Sequence, residues 1–238
     1  MIRIVHKAED RGVSEHGWLS SRFSFSFAEW YEPSRMGFGA LRVINDDTIA
    51  PHSGFPPHPH RDMEIITIVT HGAVTHKDSM GNEGVISAGE VQVMSAGTGV
   101  MHAEINGDDE ELRLFQIWIE PKLSSIVPRY DQQNFSLQKH PDGRTLLVSP
   151  EGEEEGASLT INQDAYLSWL ELPEEETHIY ELHRPGFGLY ALVVEGEVVI
   201  DGEPLSSRDA IGLAGMKEPT QIVAKTSTTV LLIEVPIV

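Results

Sequence analysis

Two short patterns in the first half of the chain contain side chains that bind metal ions in many proteins. His58 and His60 form one pair, and His102 and Glu104 form the other, with one residue between the members of each pair. Side chains alternate between the two faces of a β-strand, so residues i and i+2 point the same way. Two such strands lying side by side would direct three imidazoles and one carboxylate at a common point. That donor set suits a divalent metal ion of borderline hardness.

The residues around these pairs favour extended backbone and tight turns. Pro57 and Pro59 hold their own φ and push the residue before each toward the extended region, and proline in a strand marks an edge or a mouth. Gly97 and Gly99 lie shortly before the second pair and permit a positive φ. We therefore expect an accessible metal site at the rim of a β-barrel. His76 lies on the next predicted strand and ranks below the four ligand candidates as a pocket residue.

Composition limits the class of protein and its partners. The 238 residues suffice for one large or two ordinary domains, and the absence of cysteine excludes disulfides, thiolate ligands and a cysteine nucleophile. The net charge of −20 argues against direct binding to nucleic acid, because contact with a phosphate backbone requires basic patches. The sequence has no apolar run long enough for a signal peptide or a membrane span. We therefore expect a cytoplasmic protein without membrane contact.

Short β-like runs separated by glycine, proline, asparagine and aspartate dominate the chain and predict an all-β fold. Eight runs carry this signal most clearly: residues 40–44, 64–70, 91–94, 112–119, 145–148, 189–194, 197–200 and 228–235. No segment of twelve or more residues shows a sustained helical stripe. The pattern allows a few short helices, near residues 26–30 and 124–130. Sandwiches and barrels are the natural architectures for such a pattern.

A faint internal repeat predicts two similar β-domains in tandem. Stretches that begin at His71-Gly72 and at Glu195-Gly196 each pass through a strand, a glycine turn, a strand, an acidic turn and closing strands. We place the boundary in the polar segment between them, which divides the chain into an N-terminal domain of residues 1–133 and a C-terminal domain of residues 134–238.

The two halves differ in their content of metal-binding side chains. The second half has three histidines, His140, His178 and His183, and none of them belongs to an H-x-H or H-x-E pair. If the halves share a fold, the N-terminal domain carries the metal site. The C-terminal domain is then a structural or oligomerising copy that lacks the ligands.

The motifs that contain the ligand candidates resemble the pirin family of the cupin superfamily. The resemblance rests on long segments: GFPPHPHRDME (54–64), DSMG (78–81), MSAGTGVMHAE (94–104), LFQIWI (114–119) and PRY (128–130), together with HGW (16–18), FSF (25–27), MGF (36–38) and LRVINDD (41–47). It is close over about the first 130 residues and loose over the rest. It implies a bicupin, two tandem cupin barrels of the jelly-roll type, with the metal in the N-terminal barrel. Carried over by position, the implied ligands are His58, His60, His102 and Glu104.

The resemblance also implies a function. Bacterial members that resemble this chain are assigned quercetin 2,3-dioxygenase activity, whereas the eukaryotic relative is a nuclear transcriptional co-regulator. The family usually has Arg-Gly-Phe-Glu after the second histidine; here Arg61, Asp62, Met63 and Glu64 follow, a variant associated with the bacterial quercetinase-like branch. We therefore expect a metal-dependent dioxygenase that opens the central ring of a flavonol with O2 and releases carbon monoxide. The alternative is a non-enzymatic metal- or redox-sensing regulatory protein that acts through protein partners.

The expected chemistry needs one divalent ion and one carboxylate. Fe(II) is the first expectation for the metal, and nitrogen and oxygen ligands also accept Cu, Ni, Co, Mn or Zn. Four protein ligands leave two positions of an octahedral ion for water or an aromatic, flavonol-like substrate. The metal would lower the pKa of the substrate's hydroxyl group. Glu104 is the candidate catalytic residue, which either remains a ligand or leaves the metal to take the proton as a general base.

Overall fold

The computed structural model describes residues 1–136, 141–153 and 158–237, so His140 lies outside the described residues. Nearly every element in the described residues is a β-strand, and one short 3-10 turn covers Ala8–Asp10. This confirms the all-β class. The described residues include no helix of the length and apolarity needed to cross a membrane.

The strands of the first half of the chain are short and closely spaced. They are β1 (Ile2–His6), β2 (Gly12–Glu15), β3 (Leu19–Phe23), β4 (Leu41–Ile49), β5 (Ser53–His60), β6 (Glu64–His71), β7 (Ala73–Asp78), β8 (Glu83–Ser87), β9 (Glu90–Ser95), β10 (Val100–Asn106), β11 (Leu112–Ile119) and β12 (Arg129–Asn134).

The second half repeats this organisation with ten strands in its described part. They are β13 (Arg144–Pro150), β14 (Leu159–Ile161), β15 (Tyr166–Leu172), β16 (Thr177–Tyr180), β17 (Phe187–Glu195), β18 (Glu197–Ile200), β19 (Glu203–Ser206), β20 (Ala210–Ala214), β21 (Thr220–Ala224) and β22 (Thr228–Pro236).

Each half contributes one seven-stranded and one four-stranded sheet, as expected for two tandem cupin barrels. The first pair of sheets has the orders β12-β9-β6-β11-β4-β3-β2 and β5-β10-β7-β8. The second pair has the orders β1-β20-β17-β22-β15-β13-β14 and β16-β21-β18-β19. The first strand of the chain therefore belongs to the sheet of the second half, where Ile2–His6 pairs with Ala210–Ala214. The domain boundary at residues 133 and 134 stays a prediction.

Strand alternation divides the large N-terminal sheet into two different faces. Ile66 and Ile68 of β6 belong to an apolar cluster that also contains residues of the second half, such as Leu231. This cluster joins the two barrels. Ile65 and Val69 alternate with them and belong to two separate small clusters inside the N-terminal barrel. The interior of this barrel is therefore not one continuous apolar core, and polar side chains lie between its two clusters.

The structure forms no helix at residues 26–30 or 124–130, the two places where the sequence allowed a short one. Within residues 26–30, Ala28 has a φ of 50°, and within residues 124–130, Ser125 has a φ of 57°. Such left-handed residues interrupt a right-handed helix. Pro128 additionally disfavours helical backbone at the residue before it, and β12 begins immediately after this proline.

Candidate metal centre

The two predicted ligand pairs lie on adjacent antiparallel strands. β5 pairs with β10 so that His58 lies opposite His102 and His60 lies opposite Val100. Between His102 and Glu104 the register shifts, because the partner of Glu104 is Phe55 and β5 therefore has one extra residue there. This bulge falls in the proline-rich part of β5, where the ladder lacks backbone donors.

The turn that follows β5 and the turn that precedes β10 are hydrogen-bonded to each other. The backbone N–H of Asp62 donates to the carbonyl of Gly97 at 3.0 Å, and that of Ala96 donates to the carbonyl of Met63 at 2.8 Å. Gly97 has a φ of 44°, and a Cβ atom on it would lie 2.1 Å from the carbonyl oxygen of Ile126. Glycine is therefore required at this position. The end of β5 and the start of β10 are held in register by these contacts.

Three imidazoles converge at this end of the N-terminal barrel. The ring centroids of His58 and His102 are 4.4 Å apart, and His60 lies 4.9 Å from each of the other two rings. One ring nitrogen from each of the three residues lies within 4.8 Å of the others. His60 and His102 are buried, and His58 is partly exposed. The spacing and burial suit three nitrogen ligands of one ion.

The hydrogen bonds at these imidazoles leave nitrogen lone pairs free for a metal. Nδ1 of His58 donates to the carbonyl of Pro56 at 2.8 Å, which leaves its Nε2 as the unprotonated nitrogen. In the described residues, Nε2 of His60 and both ring nitrogens of His102 have no hydrogen-bond partner. Burial and the neighbouring imidazoles lower the pKa of His60 to about 4 and that of His102 to about 3. Both rings are therefore neutral near pH 7, as metal ligation requires.

Glu104 lies deeper in the same wall of the barrel. Its side chain is almost fully buried. One of its carboxylate oxygens and one ring nitrogen each of His102 and His76 lie within 4.8 Å of one another. It does not belong to the group formed by His58 and His60. The structure thus brings the three predicted histidines together and places the predicted carboxylate beside one of them. The four-residue ligand set stays a prediction.

Three buried polar side chains hold the Glu104 carboxylate. Thr67 donates to Oε1 at 3.2 Å, Gln92 donates to Oε1 at 3.4 Å, and Gln116 donates to Oε2 at 3.0 Å. Trp118 in turn donates to the Gln116 amide oxygen at 3.2 Å. Sequence reasoning missed these residues, although a signal was present. Each is a polar residue in an otherwise apolar strand.

His76 belongs to the same site, although the sequence ranked it low. It lies on β7 directly opposite Glu104, and its side chain is fully buried. Its Nε2 lies 3.1 Å from Oδ2 of Asp78, and its ring stacks on Tyr130 with centroids 4.6 Å apart. Burial raises the pKa of Tyr130 far above its usual value. The H-x-D spacing of His76 and Asp78 was a signal of the same kind as the two ligand pairs.

Aromatic and sulfur-containing side chains pack around His60. Trp118 meets His60 edge to face at 4.9 Å, and Phe27 meets Trp118 in the same way at 5.3 Å. Met63, Met80 and Trp118 pack against one small apolar cluster of the barrel. A separate open groove of about 410 Å³ runs along the other residues beside His60, namely Pro59, Arg61, Ser79 and 99–101.

The chain folds into two tandem barrels of the jelly-roll type, and the first barrel holds a group of histidines and a carboxylate. This is the architecture of a bicupin with a candidate metal centre in its N-terminal barrel. Comparison with protein families agrees with this class. The Pirin family model matches residues 5–119, and the model of the quercetinase C-terminal cupin domain matches residues 146–235. The chain belongs to the pirin family.

Individual relatives cover nearly the whole chain. A quercetin 2,3-dioxygenase from Escherichia coli K12 is 42% identical over 233 residues, which are 98% of this chain and 98% of that protein. A pirin-like protein from Caulobacter vibrioides is 45% identical over 202 residues, 85% of this chain and 86% of that protein. The crystal structure of the bacterial pirin YhhW from Escherichia coli in complex with nickel(II) has a TM-score of 0.92 and 42% identity, with 100% of each chain covered.

Proposed function

We propose that this chain binds one divalent metal ion through His58, His60, His102 and Glu104. The observation that carries this proposal is the group of three imidazoles with centroids 4.4 to 4.9 Å apart. Two of these rings are buried and have nitrogens without a hydrogen-bond partner in the described residues. Unpaired buried polar atoms are costly, and a metal ion would satisfy them. The related Escherichia coli protein is a nickel(II) complex, which supports nickel beside the Fe(II) expected from the ligand types.

We further propose that the metal centre catalyses cleavage of a flavonol by O2, as quercetin 2,3-dioxygenase does. Both oxygen atoms of O2 enter the product, and one ring carbon leaves as carbon monoxide. The bound ion supplies Lewis-acid activation of the flavonol hydroxyl group. The name of the Escherichia coli relative and the aromatic ring of Trp118 against His60 support this substrate class.

The protein's own side chains have defined tasks in this proposal. Trp118 packs on the ligand candidate His60, and Phe27 packs on Trp118, so in this proposal the two rings contact the flat rings of the substrate. Glu104 accepts the hydroxyl proton or holds the ion, and the donors from Thr67, Gln92 and Gln116 fix its position. Three hydrogen bonds favour a Glu104 that stays in place over one that swings away.

The test combines metal analysis with an assay of quercetin cleavage. Protein purified without added metal is analysed for its elements and then assayed with quercetin in the presence and absence of O2. We expect about one metal ion per chain and O2-dependent, stoichiometric release of carbon monoxide. His60→Ala should lose metal and turnover, and His52→Ala, at an exposed histidine, should keep both.

Two outcomes would contradict the proposal. Full metal content and unchanged turnover in His60→Ala would refute the ligand assignment. Metal binding without quercetin cleavage would refute the dioxygenase and favour the metal-sensing alternative, whose partners would be proteins.

A further inference from the structure

We propose that Asp78 and His76 form a hydrogen-bonded pair that orients His102 for metal binding, with His76 Nδ1 accepting the N–H of His102 that faces away from the ion. His76 and Asp78 are thus positioning residues rather than ligands. The inference rests on the proposed function, because it concerns a ligand of the proposed metal centre. A metal-bound histidine almost always donates its second ring N–H to an acceptor, which fixes the tautomer and orientation of the ring.

The strand register places these three residues on one surface. β10 pairs with β7 so that His102 lies opposite Asp78 and Glu104 lies opposite His76. Directly opposed residues of antiparallel strands present their side chains to the same face. The rings of His76 and His102 have centroids 5.3 Å apart and planes 55° apart. Both rings are buried.

Asp78 determines which nitrogen of His76 carries the hydrogen. Its Oδ1 accepts the backbone N–H groups of Met80 at 2.9 Å and Asn82 at 3.0 Å, and its Oδ2 accepts the Asn82 amide at 2.8 Å. Oδ2 also lies 3.1 Å from Nε2 of His76. An ionised carboxylate can only accept, so Nε2 of His76 carries the hydrogen of this bond. In the Nε2–H tautomer that the bond selects, Nδ1 is an acceptor.

The unpaired nitrogens of the two rings complement each other. Nδ1 of His76 and both ring nitrogens of His102 have no hydrogen-bond partner in the part of the chain that the structure describes. A metal ion would take one nitrogen of His102, and in a neutral ring the other nitrogen then carries a hydrogen. One ring nitrogen of His76 lies within 4.8 Å of one ring nitrogen of His102, and in the proposed arrangement the unpaired Nδ1 of His76 accepts that hydrogen. The stack on Tyr130 keeps the His76 ring in place.

A competing interpretation makes His76 a ligand itself, because one of its nitrogens lies within 4.8 Å of donor atoms of His102 and Glu104. The two interpretations differ in the number of metal ligands that His76 supplies. In the positioning role, replacing His76 weakens metal binding without changing the number of imidazoles on the ion. In the ligand role, the replacement removes one imidazole.

Asp78→Asn tests the positioning role with little change in shape. The two backbone N–H donors at Oδ1 require the amide oxygen of the new residue, so its NH2 group faces His76 and also the Asn82 side chain, whose amide must turn to present its oxygen. That group donates to Nε2, the hydrogen of His76 moves to Nδ1, and Nδ1 can no longer accept from His102. We expect the affinity for nickel(II), measured by titration calorimetry, to fall by about 10- to 100-fold. Asp131→Asn, at an exposed position with the same change of charge, should bind nickel(II) as the unchanged protein does.

Two further measurements do not depend on how well Asp78→Asn folds. In the unchanged, zinc-loaded protein, ¹⁵N NMR of the histidine rings should show His76 protonated at Nε2 and an N–H···N coupling between His102 and His76. X-ray absorption of the nickel-loaded protein should count the same number of imidazoles in His76→Asn as in the unchanged chain.

The outcomes separate this inference from the proposed function. Unchanged nickel affinity in Asp78→Asn, a His76 protonated at Nδ1, or the loss of one imidazole in His76→Asn would each overturn the positioning role alone. Failure of the unchanged protein to bind nickel(II) or zinc(II) would overturn the proposed metal centre together with it.

Discussion

Replacement of His60 by phenylalanine should make the metal-free protein less sensitive to acid. Burial lowers the pKa of His60 to about 4, whereas a histidine in an unfolded chain has a pKa near 6.5. The unfolded state therefore takes up a proton first as the pH falls, and the stability that this group contributes is lost between about pH 6.5 and pH 4. A phenylalanine side chain does not titrate, and its ring could keep the edge-to-face contact that His60 makes with Trp118.

The magnitude follows from the two pKa values. Between about pH 7 and about pH 5.5, linkage to this one group lowers the free energy of unfolding by about 1 kcal/mol. The full effect below pH 4 is about 3 kcal/mol. His102 titrates lower still and should contribute a loss of the same sign in both proteins.

Urea denaturation of the chelator-treated protein at the two pH values measures this difference. The unchanged protein should lose about 1 kcal/mol more than His60→Phe on acidification. Met101→Leu, an exposed change next to His102, serves as a control and should follow the unchanged protein. Equal losses in the unchanged protein and in His60→Phe would show that His60 titrates normally in the folded state, which would refute the claim that its ring is held neutral by burial.

Three other predictions concern the surroundings of the imidazoles. Gln116→Leu removes the amide that donates to Glu104 at 3.0 Å and should lower the free energy of unfolding by about 2 kcal/mol in a urea titration. Burial raises the pKa of Asp47 from 3.8 to about 7. The folded state therefore loses stability as the pH rises between these two values, because the buried carboxyl group must ionise. Asp47→Asn should stabilise the protein by up to about 4 kcal/mol at about pH 8 and have little effect at about pH 3. In Gly97→Ala the new Cβ atom would clash with the carbonyl of Ile126, and alanine would have to adopt a positive φ. We therefore expect a lower melting temperature and a free energy of unfolding reduced by more than about 1 kcal/mol. A melting temperature equal to that of the unchanged protein would contradict this steric argument.

The two-residue spacing in the sequence was sufficient to find the three histidines, because the alternation of side chains is a property of each single strand. His58 and His60 share a strand, so period-two alternation alone predicts a shared face, and the same holds for His102 and Glu104. That β5 and β10 would be neighbours followed from the family resemblance rather than from spacing. The all-β class followed from short apolar runs and turn residues, which depend on local chemistry.

Other features depend on contacts between distant parts of the chain, which spacing does not reveal. Thr67, Gln92 and Gln116 lie on three different strands, and their common role appears only when β6, β9 and β11 are adjacent. His76 shows the same dependence, because its importance follows from its position opposite Glu104. Neither of the two short helices that the sequence allowed forms, and each of these segments contains one left-handed residue, Ala28 or Ser125. The backbone N–H of Ser125 donates to the distant Asp62 carboxylate, a contact that spacing along the chain does not reveal.

The two barrels are similar in fold but use their interiors differently. In the C-terminal barrel most of the buried apolar residues form one cluster that includes Leu170, Leu189 and Leu232, and a buried carboxylate, Glu234, accepts a hydrogen bond from Tyr180 beside it. In the N-terminal barrel the corresponding space holds polar groups around Glu104, and the apolar residues form two small clusters. A barrel with a polar interior gives up part of the hydrophobic stabilisation that an apolar one has. The apolar layer between the barrels and the pairing of Ile2–His6 with the C-terminal sheet supply contacts from outside that interior. The barrel with the candidate metal site thus shares a stabilising apolar layer with the C-terminal barrel, which gives the C-terminal domain a structural role.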